Sequence, residues 1–337
     1  MINIAILGGS GYTALELIQL LLRHPQVKIA VVTSRQDETP LLDEVHPRLS
    51  NRLELRCEKY QIQSLLAHNV HCVFCCLPHG ASMAVIPEIL AAGIRVIDLS
   101  ADYRLRDPNQ YLQWYGHPHE DQTNLSSAVY GLPEIYRPSI TNTNLIANPG
   151  CYPQTAILAL APLVQGKWID ESSIIIDSKS GVSGAGRSPK LNFHFPECNE
   201  AVSAYGVGTH RHTPEIEQAL SDVAKRPIQV TFTPHLIPMD RGIFSTIYVK
   251  PSCVKELRDW FELYRDFYRQ ESFIRIRTNP ISTKDSAFTN FVDITLYRVR
   301  ELLVITAAED NLIRGASGVA IQNFNLMYGF PETEGLL

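Results

Sequence analysis

The chain has 337 residues, 45% of them hydrophobic and 19% charged, a composition with ample core-forming material and a length that suits two domains. A formal charge of −5 argues against a general polyanion binder, so nucleic acid is not an expected partner, although a local basic pocket is still allowed. No apolar run of about 18 residues occurs and no signal-type segment precedes the first strand, which predicts a cytoplasmic protein with no membrane role.

Ile2 to Leu7 reads as a short apolar strand that runs into Gly8-Gly9-Ser10-Gly11-Tyr12-Thr13-Ala14 and then into a helix with Leu15, Ile18 and Leu22 on one face. Strand, glycine turn and helix in this order fit the looser dinucleotide fingerprint, with Gly8, Ser10, Gly11, Tyr12 and Thr13 against a pyrophosphate at the helix amino end. The next strand, Val27 to Thr33, ends where an NAD enzyme places an acid for the ribose hydroxyls. Thr33-Ser34-Arg35 stands there instead, so Ser34 and Arg35 predict NADP, with its 2′-phosphate on the guanidinium.

Further units follow as a strand from Val70 to Leu77, a helix from Ser82 to Ala92 and a strand from Ile94 to Leu99. Such alternation predicts a doubly wound parallel sheet whose carboxyl edge presents Leu77-Pro78-His79-Gly80 to the cofactor and Asp98 to Arg104 to the substrate. Arg104 is a candidate for a substrate anion, and Asp102 for its structural partner or a turn residue. Seven cysteines, an odd number in a long chain, fit reduced thiols, and the Cys72/Cys75 pair reads as part of a buried strand rather than a metal or redox site.

Asn148-Pro149-Gly150-Cys151-Tyr152-Pro153 sets one thiol between two prolines, directly ahead of the aliphatic run to Leu163. Pro153 suits the first turn of a helix, which puts Cys151 at a helix amino end where a thiolate is favoured. A small core cysteine is the competing reading, and the Pro-Gly-Cys-x-Pro setting favours the nucleophile. Beyond it, strand-like runs at 173–177, 228–234, 243–249, 291–295 and 302–307, with an amphipathic helix from Val254 to Tyr268, predict a mixed or antiparallel second sheet.

Two segments carry groups suited to meet that thiol. Ser180 to Arg187 is a glycine-serine loop whose Ser183, Gly184 and Ala185 allow a cofactor or phosphate to lie close. His210-Arg211-His212-Thr213-Pro214-Glu215 predicts a helix capped by Thr213, preceded by two histidines that share a side if the segment is extended. One histidine then serves as acid and base and the other holds an anion; no further ligand cluster supports a metal. A last helix, from Gly315 to Met327 with Asn323 at helical spacing, returns to the first domain.

Taken with Asn199-Glu200, Tyr205 to Glu215 and Asp310 to Gly318, these motifs in this order resemble the N-acetyl-gamma-glutamyl-phosphate reductase family of arginine biosynthesis. The resemblance implies an α/β protein with an NADP-binding Rossmann domain over 1–150, joined by 315–337. It also implies an α+β catalytic and oligomerising domain over 151–314, like that of glyceraldehyde-3-phosphate and aspartate-semialdehyde dehydrogenases. It further implies a homodimer or homotetramer acting on a small acyl phosphate, with Cys151 as nucleophile and His212, in preference to His210, as acid/base. Asn323 joins the cofactor residues, and Glu200, Arg211 and Arg241 join Arg104 as substrate candidates. An aspartyl or carrier-linked aminoadipyl phosphate is the close alternative, although the Gly-Cys-Tyr context disfavours the aspartyl enzyme. An NADP-sensing regulatory protein with an inert cysteine is the alternative of a different class.

Overall fold

A computed structural model describes residues 1–34 and 39–337. Arg35, the expected 2′-phosphate ligand, lies outside the described residues. The chain divides into two compact units, one of Met1–Pro149 with Ala316–Leu337 and the other of Gly150–Gly315.

The first unit is a six-stranded parallel sheet of β1 (Ile2–Leu7), β2 (Val27–Thr33), β3 (Cys72–Cys75), β4 (Arg95–Asp98), β5 (Val129–Tyr130) and β6 (Leu145–Ala147). Its order is β2-β1-β3-β4-β6-β5, so the direction of winding reverses between β1 and β3, where a doubly wound sheet opens its ligand crevice. The core strands are apolar on both faces, as parallel strands covered by helices must be: Ile4, Ala5, Ile6, Val73, Phe74, Val96 and Ile97 are all buried. Cys72 and Cys75 belong to this core, and burial pushes the Cys72 thiol up to about 12.

Several boundaries differ from the sequence reading. The strand drawn from Val70 to Leu77 contains only Cys72–Cys75, and the helix drawn from Ser82 to Ala92 is a 3-10 turn, Ser82–Ala84, followed by Ile86–Ala91. Pro87 accounts for the break, since it sets the first turn of a helix and supplies no N–H to continue an earlier one. The short strands β5 and β6 carry too few residues for a periodic signal. The carboxyl-terminal helix begins at Gly318 and follows a π turn, Ile313–Ser317, and in the first unit the Ser317 hydroxyl donates to the Thr13 carbonyl at 2.9 Å.

The second unit holds a mixed sheet of β7 (Ile169–Ser180), β8 (Ser203–Ala204), β9 (Thr231–Leu236), β10 (Ile243–Pro251), β11 (Ile274–Ile276), β12 (Val292–Val299) and β13 (Leu302–Glu309), in the order β11-β12-β13-β10-β7-β9-β8. The Cys151–Gln165 helix packs on it, buried continuously from Tyr152 to Val164. A buried row of hydroxyls ties helix to sheet, with Thr155 Oγ1 at 2.8 Å from Ser245 Oγ and Ser178 Oγ at 2.7 Å from the same atom. Pro162 has no N–H and leaves the Leu158 carbonyl without its helical donor. The Tyr268 phenol donates to that carbonyl at 2.5 Å, which satisfies a buried acceptor that the proline would orphan.

Candidate active site

Cys151 is the first residue of its helix, with Gly150 as an extended amino cap that has no side-chain acceptor. The Gly150 N–H donates instead to Glu215 Oε1 at 2.6 Å, and Glu215 is buried in the first turn of the His212–Ala224 helix. Two helix starts are thereby locked together, one carrying the thiol and the other the histidines. Glu215 lies inside the His-Arg-His-Thr-Pro-Glu run, and it is its partner, a backbone N–H 65 residues earlier, that sequence reasoning had no means to see.

The histidines do share a side, but not because the segment is extended. Arg211 has helical angles, φ −61° and ψ −16°, and the turn brings the two rings to 4.8 Å between centroids. This turn also displaces the expected cap, because the helix begins at His212 with Arg211 before it, two residues too early for Thr213 to cap. Tyr152 stands edge-on to both histidines, at 5.7 Å from His210 and 5.9 Å from His212. Its phenol donates to the His235 carbonyl at 3.1 Å and accepts from Tyr205 at 3.0 Å. Burial pushes both phenols up, Tyr205 to about 12, so they remain neutral donors at any physiological pH.

His210 is pushed down to about 4, first by burial and then by the Arg211 guanidinium. Its Nδ1 accepts the His212 backbone N–H at 3.1 Å, which places the single proton of the neutral ring on Nε2. It is therefore a fixed neutral donor near pH 7.

Beneath the thiol the chain approaches without side chains. A Cβ added at Gly315 would stand 2.9 Å from Cys151 Cβ and 3.0 Å from Glu309 Oε1. Gly315 sits in the π turn, where its N–H reaches the Asp310 carbonyl at 2.9 Å, and the neighbouring Arg314 donates through Nε to Gln154 Oε1 at 3.0 Å. Gln154 and Arg314 are fully buried, and a π turn at such a place is a recurrent mark of functional sites.

The other expected residues of this unit are held by buried partners or stand exposed. Ser183 donates to the Asp240 carbonyl at 2.6 Å and accepts from Asn311 at 3.1 Å, so the Ser183-Gly184-Ala185 turn is held beside Arg241. Arg241 pairs with buried Asp310 at 3.1 Å and lies 4.5 Å over the Phe288 ring. Glu200 is exposed, at φ 55°. Arg211 is exposed beside the histidines.

In the first unit, Arg104 is buried and donates to the carbonyls of Asn148 at 2.8 Å and Leu99 at 3.1 Å. Asp102 accepts the amides of Gly80 at 2.7 Å and Ser82 at 3.1 Å, and Asp98 accepts the Ser82 hydroxyl at 2.8 Å. The turn carrying Pro78 thus hangs on two buried carboxylates, of which burial, and then Asp102, pushes Asp98 up to about 6.

The glycine turn suits a pyrophosphate. Gly8, at φ 87°, could bear no Cβ without meeting the Cys76 carbonyl at 2.5 Å, and a Cβ at Gly9 would meet Val32 at 2.3 Å. Gly11 faces open space and caps the Tyr12–Leu21 helix with no side chain, leaving amino-terminal N–H groups for an anion. Beside it opens a cavity of about 530 Å³, lined by Leu7, Thr33, Ser34, Lys59, Tyr60 and Leu77 with part of the turn that follows. Lys59 and Tyr60 were not foreseen. Asn323 is fully buried; its Nδ2 donates to the Gly131 carbonyl at 2.8 Å, and its Oδ1 has no hydrogen-bond partner among the described residues.

Residues 3–143 match the family profile described as semialdehyde dehydrogenase, NAD binding domain, and residues 151–311 match semialdehyde dehydrogenase, dimerisation domain. Among solved structures, aspartate semialdehyde dehydrogenase II of Vibrio cholerae, complexed with ASA, superposes with a TM-score of 0.74 at 17% identity, over 98% of each chain. The Candida albicans aspartate semialdehyde dehydrogenase with NADP also gives 0.74, at 12% identity over 97% of this chain and 98% of that one. These identities establish the fold alone: a parallel dinucleotide-type sheet plus a mixed-sheet α+β unit. Much nearer in sequence are the N-acetyl-gamma-glutamyl-phosphate reductases of Rhodopirellula baltica, 47% identical, and Geotalea daltonii, 49% identical, each over all of this chain and 98% of the relative. The chain belongs to the N-acetyl-gamma-glutamyl-phosphate reductase family.

Proposed function

We propose that the protein reduces N-acetyl-L-glutamyl 5-phosphate to N-acetyl-L-glutamate 5-semialdehyde and phosphate, with NADPH, as a step of arginine biosynthesis in the cytoplasm. The observation that carries this reading is Cys151 at the open start of a buried helix, locked by Glu215 to the helix start that bears His210 and His212. Helix amino ends stabilise a thiolate, and a thiolate is the attacking species.

The Cys151 sulfur attacks the acyl carbon, the carbon–oxygen bond to phosphate breaks, and phosphate leaves with the electron pair, giving a thioester on Cys151. NADPH, when bound, supplies the hydride that reduces this thioester carbon. The carbon–sulfur bond of the resulting thiohemiacetal then breaks, releasing aldehyde and thiolate. His210, held at about 4, stays a neutral ring near pH 7 and donates through Nε2 to an oxygen, and the acid/base role is assigned to His212 beside it. The backbone N–H groups of the Cys151 helix start are the donors for the tetrahedral oxyanion. Arg211 is assigned to the anionic end of the substrate. Arg104 and Arg241, bonded respectively to backbone carbonyls and to Asp310, hold the surrounding frame.

For the cofactor, Gly8, Ser10, Gly11, Tyr12 and Thr13 hold the pyrophosphate, Ser34 the ribose side, and Pro78 the turn beside it. Asn323 Oδ1 offers a buried acceptor of the kind an amide N–H satisfies. The family profile over residues 151–311 carries a dimerisation description, and Leu191, Phe195, Val202 and Val207 expose large apolar side chains. We assign these side chains to the interface of a homodimer, alone or within a homotetramer. A monomer by sedimentation at micromolar concentration would refute this.

The reverse assay tests the function. N-acetylglutamate semialdehyde, phosphate and NADP are expected to yield NADPH, with Cys151→Ser losing roughly 10⁴-fold or more in kcat. Retention of a tenth of the activity by that variant rules out the covalent route, and faster turnover of aspartate semialdehyde rules out the substrate.

A further inference from the structure

Strand β2 ends at Thr33, and a later segment returns beside that end. Glu58 forms a parallel bridge with Thr33; the Ser34 N–H donates to the Glu58 carbonyl at 3.0 Å, and the Glu58 N–H donates to the Val32 carbonyl at 3.0 Å. Lys59 and Tyr60 follow immediately, so their backbone is anchored to the strand end rather than hung on a loose loop. The Tyr60 phenol donates to Glu88 at 3.0 Å, which sets its ring as a wall of the cavity. The Glu58 carboxylate accepts the Ser64 hydroxyl and does not line the cavity. Among the described lining residues Lys59 is the one that bears a charge, and it faces the cavity with the hydroxyl-bearing Thr33 and Ser34.

In a dinucleotide fold the adenosine ribose comes to the end of the second strand, where a carboxylate selects for a 2′-hydroxyl and a cation for a 2′-phosphate. A cation beside hydroxyls, with no carboxylate among the described lining residues, matches the phosphate. We propose that Lys59 is a specificity-determining residue that binds the 2′-phosphate of NADP beside the end of β2. The proposal rests on the NADP reading given above. Thr33 and Ser34 form the floor of this subsite, and Tyr60 packs alongside the adenosine.

The test is equilibrium binding of NADPH and of NADH, followed by nicotinamide fluorescence, to the unaltered protein and to Lys59→Ala, Lys59→Arg and Arg35→Ala. Lys59→Ala is expected to weaken NADPH by roughly tenfold or more and NADH by less than twofold, as loss of one charge-assisted contact predicts. Lys59→Arg is expected to retain most of the NADPH affinity, and added salt to narrow the NADPH advantage of the unaltered protein. An unchanged NADPH affinity in Lys59→Ala, or equal losses for the two nucleotides, overturns the role of Lys59, while a selective loss in Arg35→Ala would leave the NADP reading standing. An unaltered protein that binds NADH as tightly as NADPH overturns both.

Discussion

Around Cys151 the reactive groups sit at two helix starts, and their supports are buried: Glu215 on the Gly150 amide, Tyr152 edge-on to both histidine rings, Gly315 beneath the thiol. Around the end of β2 the groups come from three separate stretches, the strand end, the 56–60 return and the turn after β3, and Lys59 and Pro78 are exposed. The contrast follows from what each region does. Bond making demands atoms fixed to within a fraction of an ångström, which buried backbone contacts provide. Recognition of a large dinucleotide is spread over many weak contacts, so its wall can be discontinuous and still bind.

The histidine pair is where the rigid region can be broken most severely. His212→Asn is expected to lower kcat roughly 10²- to 10³-fold at neutral pH with cofactor affinity intact, the range for a lost acid/base. His210→Asn is expected to fall less, since a neutral donor is replaced by another neutral donor. Its signature is in stability. The folded protein holds His210 at about 4, against an unfolded value near 6.5, so the unfolded chain binds more protons between those values and stability declines as pH falls through that window. In His210→Asn, unfolding curves measured between pH 7 and pH 4 are expected to lose that part of the decline. A larger kcat loss in His210→Asn than in His212→Asn would reverse the assignment.

Gly315→Ala probes the same rigidity through packing alone. The added methyl meets Cys151 Cβ at 2.9 Å and the Glu309 carboxylate at 3.0 Å, so something on the thiol side must move. A displacement of this kind is expected to lower kcat roughly 10²-fold while NADPH affinity stays the same. A change of less than threefold would mean that the thiol tolerates displacement and that the contrast between the two regions is overdrawn.

The same contrast decides what could be read in the residues. The glycine turn, the Cys151 helix start and the histidine run are contiguous, and each carries its own physical signature: glycines between a strand and a helix, a proline at a helix start, two histidines two residues apart. The parallel sheet followed from alternating apolar runs, apart from β5 and β6, which at two and three residues are too short to show a period. The contacts that complete the site were not legible, because each joins residues far apart in the chain. Glu215 to Gly150, Arg314 to Gln154 and Ser34 to Glu58 are set by packing, and neither member of each pair advertises its partner.

Thr213 offers the smallest and finest test, because local chemistry and observed structure disagree there. A threonine followed by proline and a periodic apolar run predicts a helix cap, and losing such a cap costs about 1 kcal/mol. In the structure the helix starts at His212, the Thr213 N–H bonds back to the His210 carbonyl at 2.9 Å, and the Thr213 hydroxyl is buried with no partner among the described residues. An unpartnered buried hydroxyl opposes folding, so Thr213→Val, which keeps the shape and removes the polar atom, is expected to be neutral or to stabilise by up to about 1 kcal/mol. Urea unfolding at pH 7 measures the difference. A loss of about 1 kcal/mol would restore the cap, move the helix start two residues on, and return the His210–His212 segment to the extended form in which the rings share a side for a different reason.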